Sequence, residues 1–432
     1  MKAGISFRDI TPPLRTRLAD HTRYSTGVHD PLYVRSLVLD DGTHPTAIVC
    51  LDLLFGDFAF CDEMRMLIQK RSAINHTLIN FSQTHSGPSV YKLPDQVEEN
   101  EPHEEVWIND LKLRILDSVE EACSKTVPVT LYAGRAPVQI GFNRRVPDEH
   151  GVVHMAVNKD GPVVPWVDVL HARNESNDPV AILFAHAAHP VIVHGASTET
   201  GRDFAGFAVD CIEKEWDGGA TAMFAQGCCG NINGYPLRTG WDDAKEAGHT
   251  LGMAVINAVK NSALINADKL DFRSDSFMLP CEDLPSLTQL DADMDRLTIF
   301  DARPDESRLK KLQTIKDMVV SGEKPSLRFD MNRLSVGKDW GLIALTHEPF
   351  CEYELWIHEH APYTHTMVMG DTNGMQAYVA TDAELARGGK GGYEAGGYPC
   401  FWSHTVRVLN VGLAIGTECT IKQHLSNLWK AI

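Results

Sequence analysis

The sequence lacks the long apolar runs and paired cysteines of membrane proteins and disulfide-stabilised secreted proteins. Its most apolar stretch, PVAILFAHAAHPVIV (179–193), is too short and too rich in histidine to span a bilayer. The segment MKAGISFRDITPP at the start has no apolar core of the kind found in signal peptides. The ten cysteines are scattered and none forms a CxxC pair, which favours reduced thiols. We therefore expect a cytoplasmic protein.

Basic residues are also in short supply. The 432 residues include 58 Asp and Glu against 40 Lys and Arg, which gives a formal net charge of −18. Such a surface argues against nucleic acid or an anionic membrane as the main partner. The sequence also has no basic amphipathic helix that would hold it on a lipid surface. A small molecule is the expected partner.

Strand-like and helical segments alternate along the chain. The strand-like segments are 32–53 (two runs around an Asp-Gly turn, a predicted hairpin), 77–83, 127–138, 179–185, 220–226, 341–346 and 366–370, and helical spacing covers 57–73, 106–125, 204–216, 242–262 and 349–359. This alternation predicts an α/β fold, with mixed sheets flanked by helices, in a single domain over 1–432. The charged segment 285–322 is predicted to be a helical surface insertion.

Polar clusters follow four of the predicted strands. They are SQTHSGP with Gln83 and His85, FAHAAHPVIVHG with His186, His189 and His194, FAQGCCGNING with Asn231 and Asn233, and IALTHEPF with His347 and Glu348. Histidines and a carboxylate gathered at strand ends are what a catalytic zinc site needs. No HExxH motif is present, and each residue alone is more typical of a structural role. The histidines of HEHAPYTHT (358–366) are expected to be solvated or capping residues.

Several segments together resemble the N-terminal catalytic domain of the neutral/alkaline non-lysosomal ceramidase family. They occur in the family's order: AGISFRDITPP, GVHDPLYVRSLVLDDG, VCLDLL, THSGP, GFNRR, AHPV, GCCGNIN, LTHEPF and NGMQAYVATDAELARGGKGGYEA. The resemblance spans nearly the whole chain, and we expect no counterpart of the family's C-terminal immunoglobulin-like domain. It implies a role in lipid metabolism and one catalytic zinc, held by two histidines, a glutamate and a tyrosine.

The resemblance also implies a site for individual residues of this sequence. His189 matches a ligand histidine, Glu348 the ligand glutamate, Tyr378 the ligand tyrosine and Tyr393 a second active-site tyrosine. The arginine that positions substrate falls on Arg144 or Arg145. His186 and His194 are then neighbours rather than ligands.

Two positions depart from the family pattern. Gln83 stands where the family has its first ligand histidine, and His85 matches a histidine that contacts substrate. A carboxamide oxygen is a poor zinc ligand beside imidazole. Three alternatives stay open: His85 binds the ion, the ion is held weakly by His189, Glu348 and Tyr378, or the site holds another ion or none.

The second departure is Asn233, which stands where the family has a serine, with Asn231 in place of an aspartate. Asn233 cannot act as a nucleophile, but its amide can donate to an oxyanion. We predict a metal-dependent hydrolase of a small amide or ester, with zinc the expected ion and a substrate other than ceramide. In it His85 is a ligand, a general acid–base or a substrate donor. The alternatives are a non-catalytic binding protein with a degraded site, and a metal-dependent lyase or isomerase.

Overall fold

Three large β-sheets and the helices that cover them make up most of the molecule. The structure, a computed structural model, describes residues 1–19, 23–90, 102–300, 306–398 and 411–430. The strands are β1 (Lys2–Asp9), β2 (Gly27–Val28), β3 (Tyr33–Asp40), β4 (Thr46–Leu51), β5 (His76–Phe81), β6 (Val127–Pro128), β7 (Thr130–Pro137), β8 (Gly141–Pro147), β9 (Val153–Asn158), β10 (Trp166–Arg173), β11 (Pro179–His186), β12 (Glu199–Thr200), β13 (Thr221–Gln226), β14 (Ile232–Gly234), β15 (Ala263–Leu264), β16 (Leu270–Pro280), β17 (Ser326–Val336), β18 (Trp340–Leu345), β19 (Glu348–Pro349), β20 (His365–Met369) and β21 (Tyr378–Val379). The helices are α1 (Phe58–Ser72), α2 (Pro102–Ser124), α3 (Asp203–Glu215), α4 (Trp241–Lys260), α5 (Leu287–Phe300), α6 (Glu306–Ser321), α7 (Cys351–His360), α8 (Asp382–Leu385), α9 (Gly392–Ala395) and α10 (Thr417–Trp429).

The sheets mix parallel and antiparallel pairs. The first has the order β5-β4-β3-β1-β6, the second β13-β11-β10-β7-β15 and the third β16-β17-β18-β20. Each contains one parallel pair, namely β4 with β5, β11 with β13 and β18 with β20. The short strands form a β14-β8-β9 sheet and the pairs β12-β2 and β19-β21. This is the mixed α/β architecture predicted from the sequence.

One apolar core is shared by the three large sheets. It includes Leu37 on β3, Leu183 on β11 and Leu342 on β18, each at most 2% exposed. The opposite face of each sheet is covered by helices, as Met64 of α1 and Leu111 of α2 illustrate for the first sheet. Burying side chains of this kind contributes about 1.5–3 kcal/mol each. A core common to all three sheets is the architecture of a single large domain. None of the helices in the described ranges has the length and apolar character of a membrane span.

The predicted hairpin is present as the antiparallel pair β3 and β4, and the predicted helices correspond to α1, α2, α3, α4 and α7. Strands β1, β8, β9, β10, β16 and β17 were not predicted, nor were the short strands β2, β12, β14, β15, β19 and β21. Strand β16 is largely exposed and rich in polar residues, so it lacks a clear alternation of apolar and polar positions. Helices α5 and α6 lie within the predicted helical segment 285–322, of which 301–305 fall outside the described residues. That this segment is an insertion stays a prediction.

The buried side chain of Asn80 ties together the ends of three strands, one from each large sheet. Its Nδ2 donates to the carbonyl of Gly370, 2.8 Å away and just after β20. Its Oδ1 accepts from the amide of Gln226, 2.8 Å away and at the end of β13. Asn80 itself lies near the end of β5. The polar segments that follow these strands therefore begin from one place in the molecule.

Candidate active site

His189 and Glu348 form the buried centre of this region. His189 follows β11, and its Nδ1 lies 2.9 Å from the carbonyl oxygen of Ile232. Because a carbonyl only accepts, this ring nitrogen carries the proton. In the neutral ring the lone pair of Nε2 then points at Oε2 of Glu348, which is 3.0 Å away. Two acceptors at that distance repel each other unless a cation or a proton lies between them.

A metal ion between Nε2 of His189 and Oε2 of Glu348 is more favourable than a proton on Nε2. Burial lowers the pKa of His189, and the nearby guanidinium of Arg144 lowers it further, so the net shift is downward despite Glu348. Metal-binding histidines typically donate their other ring N–H to a backbone carbonyl, as His189 does to Ile232. The donor set at this position therefore fits a divalent metal ion.

Short strands place Tyr378 beside Glu348. Strand β19 pairs with β21 in parallel, and Glu348 lies opposite Tyr378 in that pair. The ring of Tyr378 has its centroid 6.4 Å from that of His189. The loop after β13 packs tightly behind this pair, because a Cβ on Gly230 would lie 2.5 Å from the carbonyl oxygen of Glu348. The close approach requires glycine at position 230.

His85 lies next to this centre, half-buried, with its ring centroid 5.8 Å from that of His189. Its Nδ1 lies 2.9 Å from the carbonyl oxygen of Gln83, so Nδ1 donates and Nε2 is an acceptor. Burial, together with His194 and His189, holds the pKa of His85 well below its usual value. The ring is therefore neutral at pH 7, with a lone pair suited to a metal or to a proton.

The side chain of Gln83 is engaged elsewhere. Its backbone has a φ of 64°, a left-handed conformation that turns the chain sharply after β5. Its Oε1 accepts from the thiol of Cys229 at 3.0 Å, and its Nε2 lies 3.7 Å from Sδ of Met375. The carboxamide oxygen that was a candidate ligand thus already has a donor.

Arg144 and Arg145 are neighbours in sequence, yet both are buried and both bind Glu394. A β-bulge in the β8–β9 pair at this point explains why their side chains reach the same carboxylate. Arg144 also donates to Oδ1 of Asn233 at 2.9 Å. Arg145 instead bonds Glu384. Of the two candidates for positioning substrate, Arg144 is the one that contacts other predicted site residues.

Two tyrosines flank the guanidinium of Arg144, whose central carbon lies 5.3 Å from the ring centroid of Tyr378 and 5.9 Å from that of Tyr393. Burial would lower the pKa of Arg144, but Tyr378 and Glu394 beside it outweigh that effect and raise it. The group is a permanent cation at the edge of the centre. Asn233 uses its oxygen for Arg144, so its amide N–H groups are left to act as donors.

The other histidines of the predicted segments have different surroundings. His186 bonds the carbonyl of Trp166 through Nδ1 at 2.8 Å. His347 uses both ring nitrogens, on the carbonyl of Arg328 and the amide of Gln376, and is structural. His194 is a neighbour of His85, with ring centroids 5.1 Å apart.

Two contributors were missed by the sequence analysis. Glu394 joins Arg144 to Arg145, and the two adjacent arginines of GFNRR at a predicted site were the signal that a carboxylate partner was needed. Arg23 donates to Nδ1 of His194 at 3.1 Å. Nothing in the sequence near residue 23 marked it as part of this region.

A second group of possible metal ligands lies elsewhere. In the described part of the chain, Asp168, Glu354 and His358 are the set whose ligand atoms all lie within 4.8 Å of one another. His358 is buried, so the expectation of a solvated or capping residue was wrong for this histidine. The two carboxylates outweigh burial and raise the pKa of His358 to about 9, which favours a charged ring. The 2.7 Å approach of Nη2 of Arg135 to Nδ1 of His358, by contrast, is favourable only with a neutral ring whose proton lies on Nε2.

Arg135 also donates to Oδ1 of Asp168 at 2.7 Å. This second group therefore already contains a cation of its own. At His189 and Glu348 the two acceptors face each other directly, so that centre has the stronger requirement for a bound ion.

Comparison with solved structures identifies related folds. A crystal structure of neutral ceramidase from Pseudomonas aeruginosa matches with a TM-score of 0.71 and 17% identity, over 99% of this chain and 73% of that one. A ceramidase complexed with C2 matches with a TM-score of 0.69 and 16% identity, over 99% of this chain and 74% of that one. No protein-family profile matches the chain, and no curated protein sequence matches it significantly. The fold implied by the sequence resemblance is thereby confirmed.

Proposed function

We propose that this chain is a metal-dependent hydrolase of an amide or ester bond, with a zinc site of the neutral ceramidase type. The ligands would be His189, Glu348 and Tyr378, with His85 in place of the histidine that Gln83 replaces. The observation that carries the proposal is the 3.0 Å approach of Nε2 of His189 to Oε2 of Glu348 while Nδ1 is fixed by Ile232. The shared fold with two ceramidase structures supports it.

The choice of His85 as the additional ligand rests on its protonation. Both His85 and His189 have Nδ1 against a backbone carbonyl, and each therefore presents an unprotonated Nε2. The ring centroids lie 5.8 Å apart, and ligand atoms of His85, His189 and Glu348 do not all lie within 4.8 Å of one another, so His85 would have to move toward the ion to form a Zn–N bond of about 2.0–2.1 Å. When bound, zinc polarises a carbonyl and makes a water molecule acidic enough to attack near neutral pH.

Residues around the ligands would handle the substrate. Arg144 and the amide of Asn233, which bond each other, would stabilise negative charge on the carbonyl oxygen as the bond is cleaved. Glu394, shared with Arg145, holds the guanidinium of Arg144 in one orientation. Tyr393 packs 5.6 Å from Tyr378, measured between ring centroids, and would line the substrate side. The substrate is proposed to be a small molecule, and a lipid amide is one member of that class.

A non-catalytic binding protein is the second candidate. Its support is the engagement of Gln83 with Cys229, because a ligand position of the family has become part of the packing. Asn233, which cannot serve as a nucleophile, points the same way. A lyase or isomerase would use the same metal ligands and differ in its product.

Metal analysis distinguishes these candidates. The protein should be purified without chelator, analysed for bound metals, and then titrated with Zn²⁺ after chelator treatment. Hydrolysis of a panel of anilides and p-nitrophenyl esters should be measured in parallel. We expect one zinc per chain and a hydrolytic rate that is lost with chelator and restored by zinc. A protein that neither contains nor takes up a divalent ion is not the proposed hydrolase.

A further inference from the structure

An apolar pocket of about 100 Å³ adjoins the candidate active site. Arg144 and Asn233 line it, so it shares two residues with the proposed catalytic centre. Its remaining walls come from the β8–β9 hairpin and from the segment that follows β14. The apolar side chains among them are Phe142, Met155, Val157, Tyr235 and Leu237.

The apolar walls are unusually exposed. Met155 and Val157 are each 43% exposed and Tyr235 is 46% exposed. Phe142 meets Tyr235 edge to face, with ring centroids 5.3 Å apart, which fixes the position of both rings. Solvent-facing apolar side chains grouped around a cavity indicate a surface that receives a ligand.

Arg144 adds a charged wall to this pocket. It is 5% exposed and lines the cavity together with Asn233. Its guanidinium bonds Glu394 and Asn233, and the side chain of Tyr378 is a further hydrogen-bonding neighbour. The positive charge favours an oxygen-bearing group at this end of the pocket. A ligand that satisfies both features has an oxygen head group joined to an apolar tail.

We infer that this pocket binds the acyl group of the substrate and that it selects a short one, of about four carbons beyond the carbonyl. A cavity of about 150 Å³ holds the six carbons of benzene, so 100 Å³ holds about four carbons. A longer chain would extend from the pocket into solvent. The inference rests on the proposed function for turnover, but the pocket can be tested by binding alone.

Binding of straight-chain carboxylates from acetate to decanoate tests the size limit without catalysis. Each buried methylene should tighten binding roughly fourfold until the pocket is full, near pentanoate, with little gain beyond it. Affinity that keeps rising through decanoate overturns the size limit. Affinity that does not rise between acetate and pentanoate overturns the apolar pocket. Isothermal titration calorimetry with the full chain measures both.

Two variants at the pocket locate the effect. Val157→Phe should fill the pocket and remove most of the increase in affinity between acetate and pentanoate. Tyr235→Ala should enlarge the pocket, so that affinity keeps increasing for longer chains. Val320→Phe, at a position 69% exposed on α6, is the matched control and should leave binding unchanged. If the chain-length series of Val157→Phe equals that of the unaltered protein, the pocket is not the binding site.

Turnover of p-nitrophenyl esters with the same acyl groups then separates the two proposals. Hydrolysis rates that rise with acyl length in the same way as carboxylate affinity support both the proposed function and the pocket assignment. If no ester is hydrolysed while the carboxylates bind with the expected series, the proposed function fails and the pocket assignment stands. If esters are hydrolysed with no dependence on chain length, the pocket assignment fails and the hydrolase stands.

Discussion

Nε2 of His189 lies 3.0 Å from Oε2 of Glu348, with both side chains fully buried. When His189 is neutral and Glu348 is ionised, neither atom carries a proton, because Nδ1 of His189 holds the ring proton and donates it to Ile232. A buried contact of this kind needs a cation to be favourable. The proposed metal site follows from this relationship more than from any other feature of the region.

Glu348→Gln is the most direct test of that site. The amide is similar in size but neutral and a weaker ligand, so zinc affinity should fall by more than tenfold and hydrolysis should be abolished. Metal content after gel filtration and zinc titration of the chelator-treated protein measure the change.

Glu354→Gln is the matched control, because Glu354 belongs to the second group of possible ligands. Its carboxylate accepts from the amide of Cys228, a bond that the carboxamide oxygen of glutamine can keep. Zinc content should be unaffected by this change. Loss of zinc in Glu354→Gln with retention in Glu348→Gln would place the ion at the second group and refute the proposed ligand set.

Substitutions at Gln83 and His85 test which of the two residues is the zinc ligand. Gln83→Met should keep one zinc per chain, since the carboxamide oxygen is occupied by Cys229, and should lower stability by about 1–3 kcal/mol through the lost hydrogen bond. His85→Ala should weaken zinc binding by more than tenfold. Zinc titration and thermal unfolding of both variants are the measurements. The reverse pattern of zinc affinities would identify Gln83 as the ligand.

Much of this region could be predicted from the sequence because its residues follow strands. Glu348 and His189 each lie three residues after the end of a long strand, β18 and β11 respectively, so the fold brings their segments together. The hydrogen bonds through which Asn80 joins the ends of three strands could not be predicted from the sequence. Asn80 joins β5, β13 and β20 through contacts between residues far apart in the chain, and an asparagine inside a strand carries no signal of such a role.

The choice between Arg144 and Arg145 was also beyond sequence analysis. In a regular strand adjacent side chains point to opposite faces, so only one of the two would be expected near the site. The β-bulge in the β8–β9 pair breaks this alternation, and Glu394 receives both side chains. A bulge depends on pairing with a second strand, and β9 was not predicted.

Lysine substitutions should separate the roles of these two arginines. Arg144→Lys should lower kcat/KM by about 10²–10³, because a donor to the developing oxyanion is displaced, with a smaller effect on stability. Arg145→Lys should chiefly lower the free energy of unfolding, by about 1–3 kcal/mol, because one ammonium group cannot bond Glu394, Glu384 and the carbonyl of Gly391 together. Kinetics and denaturant unfolding of both variants provide the comparison. Equal losses of activity without loss of stability would show that Arg145 also contacts the substrate.

Acid stability should depend on His186, which is 2% exposed and bonded to the carbonyl of Trp166. Burial lowers the pKa of His186 to about 4. In the unfolded chain the pKa is about 6.5, so between these values the unfolded state binds a proton that the folded state does not. As the pH drops from about 6.5 to 4, the titration of His186 therefore lowers the free energy of unfolding by about 3 kcal/mol.

His186→Gln removes this titration while keeping a donor for Trp166. Its free energy of unfolding should fall less steeply between pH 6 and 5 than that of the unaltered protein, by about 1.4 kcal/mol per pH unit. Urea unfolding at several pH values measures the slope. His150→Gln is the control, because His150 is 77% exposed and its replacement should leave the slope unchanged.

Asp203 opposes the effect of His186 in the same pH range. Burial raises the pKa of Asp203 to about 6, so the folded state binds its proton more readily than the unfolded state does. Equal slopes in His186→Gln and the unaltered protein would mean that His186 is protonated in the folded state.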